Sequence, residues 1–277
     1  MKKIIGLLIL FPAVFLLLTA FRSEPDAPGK YLGNVPVSSG RFIEGEELYY
    51  RVSYLNFTIG ELFFKIYSKK NENGRPLYYA KVFMNSNPAI PFVKLNQIYE
   101  STFGEPVYSE FFRGIVVTDE DSTFTDYDFN YGQKNVKFRQ GSYRKNETWK
   151  DQVLPADTFM QDGLSIFYFA RINTGRDFSI RVPCFVNEKK VYTRINFYKK
   201  PEPVETETLD YEVSCTRVDG LIEFKSVYGL TGEYEGWFSN DEAAIPVKAE
   251  LNVILGSVKV ELSKWKRPGW SPPKWKK

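Results

Sequence analysis

The residues able to do chemistry in this 277-residue chain are few, and the absences bound its function. There is no histidine. That removes Ser-His-Asp and Cys-His catalysis and every imidazole metal site. No nucleophile elbow, phosphate loop or dinucleotide fingerprint occurs. Carboxylates remain, because glycoside cleavage needs only two acids. Asp157, Asp162, Asp241 and Glu242 are the candidates. Asp157 reads better as a helix cap, and Asp241 with Glu242 as a solvated turn. Asp119, Asp121, Asp126 and Asp128 could offer oxygen ligands to calcium. Phe124 occupies the position where a calcium loop opening at Asp119 needs glycine, so they read as an acidic hairpin end. No catalytic residue, metal site or cofactor is expected.

Arg171 stands on a segment whose other residues are largely apolar. It either snorkels at a helix end or pairs inside the fold with an acid or an anionic head group. Cys184 and Cys215 are the only cysteines. An oxidising compartment would permit a disulfide between them. The flanking runs look like three successive strands, which separates the thiols by two strand spacings, about 9.6 Å. A bridge tolerates about 7 Å between Cα atoms, so free thiols are favoured.

The elements that must position these residues are mostly strands. Leu48, Tyr50, Val52 and Tyr54 alternate with Glu47, Tyr49, Arg51 and Ser53, the period-two mark of a half-buried strand. Leu55 to Thr58 reads as a hairpin connection into Glu61 to Tyr67. Further strand-like runs continue to Gln140 and Lys150. After a helix come 178–186, 190–199, 205–217, 221–228 and 233–238. Two last strands follow, one through Ile245, Val247, Ala249, Leu251 and Val253, the other through Val258, Val260 and Leu262. One segment differs. Asp157 can cap a helix running to about Ile172, in which Phe159, Met160, Leu164, Ile166, Phe167, Phe169 and Ile172 cover most of the circumference. A helix so apolar must be buried. The expected fold is mostly β: a large antiparallel curved sheet, half-barrel or barrel-like sandwich, with one buried helix at 157–172 in its concave face.

The ends read differently. Residues 1–20, with Lys2 and Lys3 before an apolar run, resemble a signal peptide; an uncleaved anchor is the alternative. Residues 21–40 read as a flexible linker, 41–263 as a single β-rich domain, and 264–277 as a basic tail of Trp, Pro and Lys. Trp265, Trp270 and Trp275 recur at steps of five among Lys274, Lys276 and other bases. Such a tail suits an anionic membrane surface, and its removal is expected to leave stability nearly unchanged. The net charge of +3 resides in the two ends. The body is acidic, which argues against nucleic-acid binding.

Three signatures stand in order along the chain: Phe42-Ile43-Glu44-Gly45-Glu46-Glu47-Leu48-Tyr49-Tyr50, followed by Ile59-Gly60; Gln161-Asp162-Gly163-Leu164-Ser165-Ile166-Phe167; and Trp237-Phe238-Ser239-Asn240-Asp241 with Ile245-Pro246-Val247. Their order resembles that of a widespread exported bacterial family catalogued as domain of unknown function 3108. The resemblance implies export and a β-rich fold, and no catalytic residue. A more distant likeness, in architecture only, is to periplasmic lipoprotein carriers that hold acyl chains in a half-barrel. The resulting expectation is a non-catalytic periplasmic protein of a Gram-negative envelope that binds or carries an apolar or lipid-like ligand. Arg171, Asp162 and Trp237 are its candidate ligand contacts. An envelope scaffold acting with a protein partner is the alternative, and a carboxylate hydrolase the second one.

Overall fold

The computed structural model describes residues 40–90, 95–224, 232–252 and 257–276. The expected signal peptide and all of the linker but Gly40 lie outside these residues, as do Val253 and Lys277. Fourteen strands form one antiparallel sheet among the described residues. The first eight are β1 (Glu47–Tyr54), β2 (Phe57–Glu72), β3 (Arg75–Ser86), β4 (Asn96–Gly104), β5 (Ser109–Val117), β6 (Ser122–Asn130), β7 (Asn135–Ser142) and β8 (Glu147–Pro155). One helix, α1 (Ser165–Asn173), follows. Then come β9 (Phe178–Val186), β10 (Lys189–Val204), β11 (Val213–Ile222), β12 (Gly232–Ser239), β13 (Pro246–Asn252) and β14 (Ser257–Lys266). Each half is a meander, and the halves join where β1 pairs with β14. The sheet is not closed, so β8 and β9 are its edges.

Local sequence explains the hairpins. Leu55 and Asn56 both take positive φ between β1 and β2, the geometry of a two-residue turn that matches strand twist. Gly60 sits where β2 crowds β3; a Cβ there would lie 2.6 Å from the Asn85 carbonyl oxygen. Two strands are longer than their patterns suggest. β2 and β10 each run 16 residues, and β11 joins the end of the expected run 205–217 to the start of 221–228, of which 225–228 lie outside the described residues.

The helix is shorter than the pattern predicts, beginning at Ser165 rather than Asp157. Asp157 caps nothing; it is exposed and salt-bridged to Lys190 at 2.7 Å. The residues before α1 have other partners for their backbone. Ser109 N donates to Met160 O, Gln161 N to Pro183 O, and Phe185 N to Gln161 O. These bonds tie Met160-Gln161 between the start of β5 and edge strand β9, and a helical path would forfeit them. The helix is also not buried all round. Phe159 and Phe167 remain about a third exposed. The rest of α1 packs into the concave side of the sheet, where Tyr168 stacks on Phe103 with centroids 4.4 Å apart and meets Phe42 edge-on.

Both cysteines are free and buried. Cys184 on β9 pairs with Val191 of β10, whereas Cys215 on β11 pairs with Glu202 near the other end of β10. The thiols are thus far apart along the strands as well as across them.

The C-terminal stretch is not the free arm that its composition predicts. β14 runs to Lys266, and the chain then packs back on the body. Trp270 Nε1 donates to Asp241 Oδ2 at 2.7 Å, and its ring meets Trp265 edge-on. Ser214 N donates to Pro273 O, and Trp275 N to Glu212 O. Arg267 is buried and ion-paired with Glu46. Prolines forbid a helix here, but their carbonyls still accept. Tail and body each supply donors, and the described chain is tied to the body as far as Trp275.

Candidate functional site

The concave face of the sheet and α1 enclose a cavity of about 440 Å³. Its walls come from both halves of the sheet: Leu62 and Phe64 of β2, Ala249 and Leu251 of β13, Val258 and Val260 of β14. Ile166 and Phe167 of α1 complete it. All of these are apolar residues facing inward, yet each is only half-buried, save Phe167, which is exposed. Alternation places them on the core side, and the cavity explains their remaining exposure. Where the core is filled instead, residues of the same type are sealed: Ile66, Met84, Phe103 and Leu164 are fully buried.

Two buried acids stand near this space, and each is committed. Asp162 lines the cavity at 1% exposure. Its Oδ2 accepts from Ser101 Oγ at 2.6 Å, and its Oδ1 from the amides of Leu164 and Ser165 at 2.6 and 2.8 Å. In return the Ser165 hydroxyl accepts from the Asp162 amide. Asp162 therefore holds the turn that leads into α1 and takes up the amide of its first residue, Ser165. Burial pushes its carboxyl above the usual carboxylate range, against the pull of those hydrogen bonds. Glu46 is 2% exposed and sits between two guanidinium groups, those of Arg171 and Arg267.

Arg171 thus pairs with an acid inside the fold, as one of its two expected roles required. Nη1 donates to Glu46 Oε1 at 2.6 Å, and Nη2 donates to the carbonyls of Arg41 and Ala243. Arg41 in turn donates to the Arg171 carbonyl. This cluster pins the entry to β1, the end of α1 and the chain after β14 to one another. The sequence signal for it was Glu46, present in the opening signature but not singled out. Trp237 lies elsewhere: it does not line the cavity, and its Nε1 donates to Glu202 at 2.5 Å.

Trp265, Trp270 and Trp275 are half-buried against the body, while Lys274 and Lys276 are exposed, Lys274 over the Tyr211 ring. Asp241 accepts from Ser239 Oγ and the Ala244 amide, which organises the turn before β13. Asp126 is buried between Arg113 and Arg139. No group of three metal-ligating side chains forms among the described residues. The cavity is thus an apolar hollow with a buried carboxyl and a buried guanidinium among its lining residues.

Fold and cavity together define a class: a single curled antiparallel sheet wrapped on a helix, with an apolar hollow between them. The chain belongs to the family described as Protein of unknown function (DUF3108), whose profile matches residues 49–263. No curated protein matches it. Three solved structures are similar. One is a β-barrel-like protein of domain of unknown function DUF1849 from Brucella abortus, at 9% identity and TM-score 0.48, covering 80% of this chain and 97% of that one. A candidate exported protein with a YmcC-like fold from Bacteroides fragilis aligns at 9% identity and TM-score 0.32, over 81% and 97%. A candidate lipoprotein from Parabacteroides distasonis aligns at 11% and 0.34, over 81% and 96%.

Proposed function

We propose that this protein is an extracytoplasmic, non-catalytic binding or carrier protein whose cavity holds an apolar or lipid-like ligand. The observation that carries the reading is the set of inward-facing apolar residues left half-buried around a hollow of about 440 Å³. That volume falls in the range of about 300–1,000 Å³ common to small-molecule sites. Each methylene moved from water into such a space contributes about 0.8 kcal/mol, so a chain of a dozen carbons has ample driving force. The extracytoplasmic setting rests on the signal-like composition of residues 1–20. A scaffold acting through its outer surface would have no use for an unfilled interior.

The test combines two measurements. Mass spectrometry of the protein purified from its native envelope should find an amphiphile bound one to one. An apolar fluorescent probe should bind the emptied protein and be displaced from it by that amphiphile. Ala249→Phe places a ring into the hollow and should weaken probe binding by on the order of tenfold or more. Equal binding by both forms would show that the probe sits elsewhere, and the reading would fail.

A further inference from the structure

The cavity has a closed end and an open one. Leu48, Tyr168 and Arg171 line it toward the start of β1, and all three are sealed. Val52, Ile59, Leu251 and Val258 line it toward the β1–β2 connection. These four are half-buried, and Asn85 on the neighbouring strand β3 is exposed. Among the described residues the mouth therefore lies at the tip of the β1–β2 hairpin.

That tip carries two costs at once. Phe57 is 69% exposed, more than any other large apolar side chain of the described residues, and Leu55 is 61% exposed. Leu55 also sits at φ 47°, a left-handed conformation that a bulky residue rarely takes and that asparagine or glycine takes readily. Backbone strain of this kind at an exposed position points to function.

The surroundings are uncharged. Residues 55–59 contain no charged side chain, and neither do residues 86–90, which Asn87 ties to them through the Ile59 and Thr58 carbonyls. Other connections at this end of the antiparallel sheet differ. β5–β6 turns through Asp119-Glu120-Asp121, β7–β8 through Arg144-Lys145, and β9–β10 through Asn187-Glu188. Trp149 and Val153 on β8 are exposed too, but they stand among Lys137, Lys150 and Asp151. An uncharged apolar projection suits a bilayer interface, where binding grows with the apolar area buried. Its place at the mouth supplies the reason for such a contact. Each methylene of an apolar ligand resists crossing water, so a mouth held against the bilayer removes that barrier to loading.

Resting on the cavity reading above, we infer that the β1–β2 hairpin docks on a lipid bilayer, with Leu55 and Phe57 entering the interface and the cavity mouth facing it. This contact is at the end of the sheet opposite the Trp- and Lys-rich C-terminal stretch: Glu47 at the start of β1 pairs with Lys266, whereas Tyr54 at its end pairs with Val258.

The experiment uses protein purified from its native envelope, freed of lipid and loaded with a pyrene-labelled long-chain alcohol. It is mixed with vesicles of neutral phosphatidylcholine. The rate of probe transfer should rise in proportion to vesicle concentration, because transfer needs contact. It should hold from about 0.1 to about 1 M salt, because the contact is uncharged. Phe57→Ser and Leu55→Asn should each slow transfer on the order of tenfold, the worth of burying one large apolar side chain. Their affinity for the probe in solution should match the wild type. Leu55→Asn should leave the melting temperature unchanged or raise it, since asparagine tolerates the left-handed turn; transfer lost without stability cannot come from misfolding. A rate independent of vesicle concentration would overturn the bilayer contact in favour of a protein partner or passage through water, and leave the cavity reading standing. So would a rate that falls with salt and ignores both substitutions, which would place the contact on Lys274 and Lys276 instead. A protein that takes up no probe would overturn both.

Discussion

Asp162 carries two roles in one carboxyl. It holds the turn into α1 through the amides of Leu164 and Ser165, and it is held in a place where ionisation is unfavourable. Its folded-state pKa lies above the unfolded value, so the native state binds more protons between the two. Stability from this group is therefore fully present below the unfolded value, near 3.9, and is lost as pH rises through the raised folded one. Asp162→Asn keeps an oxygen for the two amides but cannot ionise. Urea unfolding of both proteins across pH 4 to 8 should show the variant gaining on the wild type as pH rises. A constant difference would mean that Asp162 titrates normally. Glu46 is the contrasting case, a buried acid flanked by two arginines. Such a pair is costly to break, because the partner left behind is a buried lone charge.

At the scale of elements, the decisive segments are those that neither sheet pairing nor helix propensity describes. Residues 156–164 cross from one half of the sheet to the other and are held by backbone bonds to β5 and β9. The chain after β14 lies across the starts of β11 and β13 and places Arg267 against Glu46. Removal of residues 267–276 should therefore lower the melting temperature clearly, contrary to what composition alone suggests. It deletes one partner of a buried ion pair and the donor to Asp241. Breaking a buried pair typically costs about 3–5 kcal/mol, lessened here because Arg171 stays with Glu46. Differential scanning calorimetry of the full and shortened chains decides it; an unchanged midpoint would show that the segment is a passive end.

For the whole molecule, the number of strands governs the shape. Open twisted sheets rarely exceed about 10 strands without curling or splitting. This one has 14 in a single sheet among the described residues, and its curl brings β8 and the residues just after it near the β9–β10 hairpin, where Lys150 meets Glu188 and Lys190 meets Asp157. One helix of nine residues does not fill the space so enclosed. Anything that fills it adds to folding stability by mass action, about 2.7 kcal/mol at a hundred times its dissociation constant. Stripping bound lipid should lower the melting temperature, and adding back a long-chain amphiphile should restore it in a concentration-dependent way. A midpoint insensitive to both would place binding outside the folded core.

Much of this was legible in the chain itself. Period-two runs of Leu, Val, Tyr and Phe marked strands, because a pleated strand sends alternate side chains to opposite faces whatever its neighbours are. The absence of histidine excluded whole classes of catalysis before any coordinates. The resemblance named the family, and strand order separated the cysteines. Other features depended on groups distant in sequence. Asp157 is a good cap on paper; Ser109 and Pro183, from other strands, drew the backbone that follows it into extended form. The tail read as solvated because its partners, Asp241, Glu212 and Ser214, lie far back along the chain. The pairing of Arg171 with Glu46 spans 125 residues. The hollow has no local signature at all. An inward-facing Val260 reads the same over a filled core as over an empty one, and only the curvature of the open sheet decides which it meets.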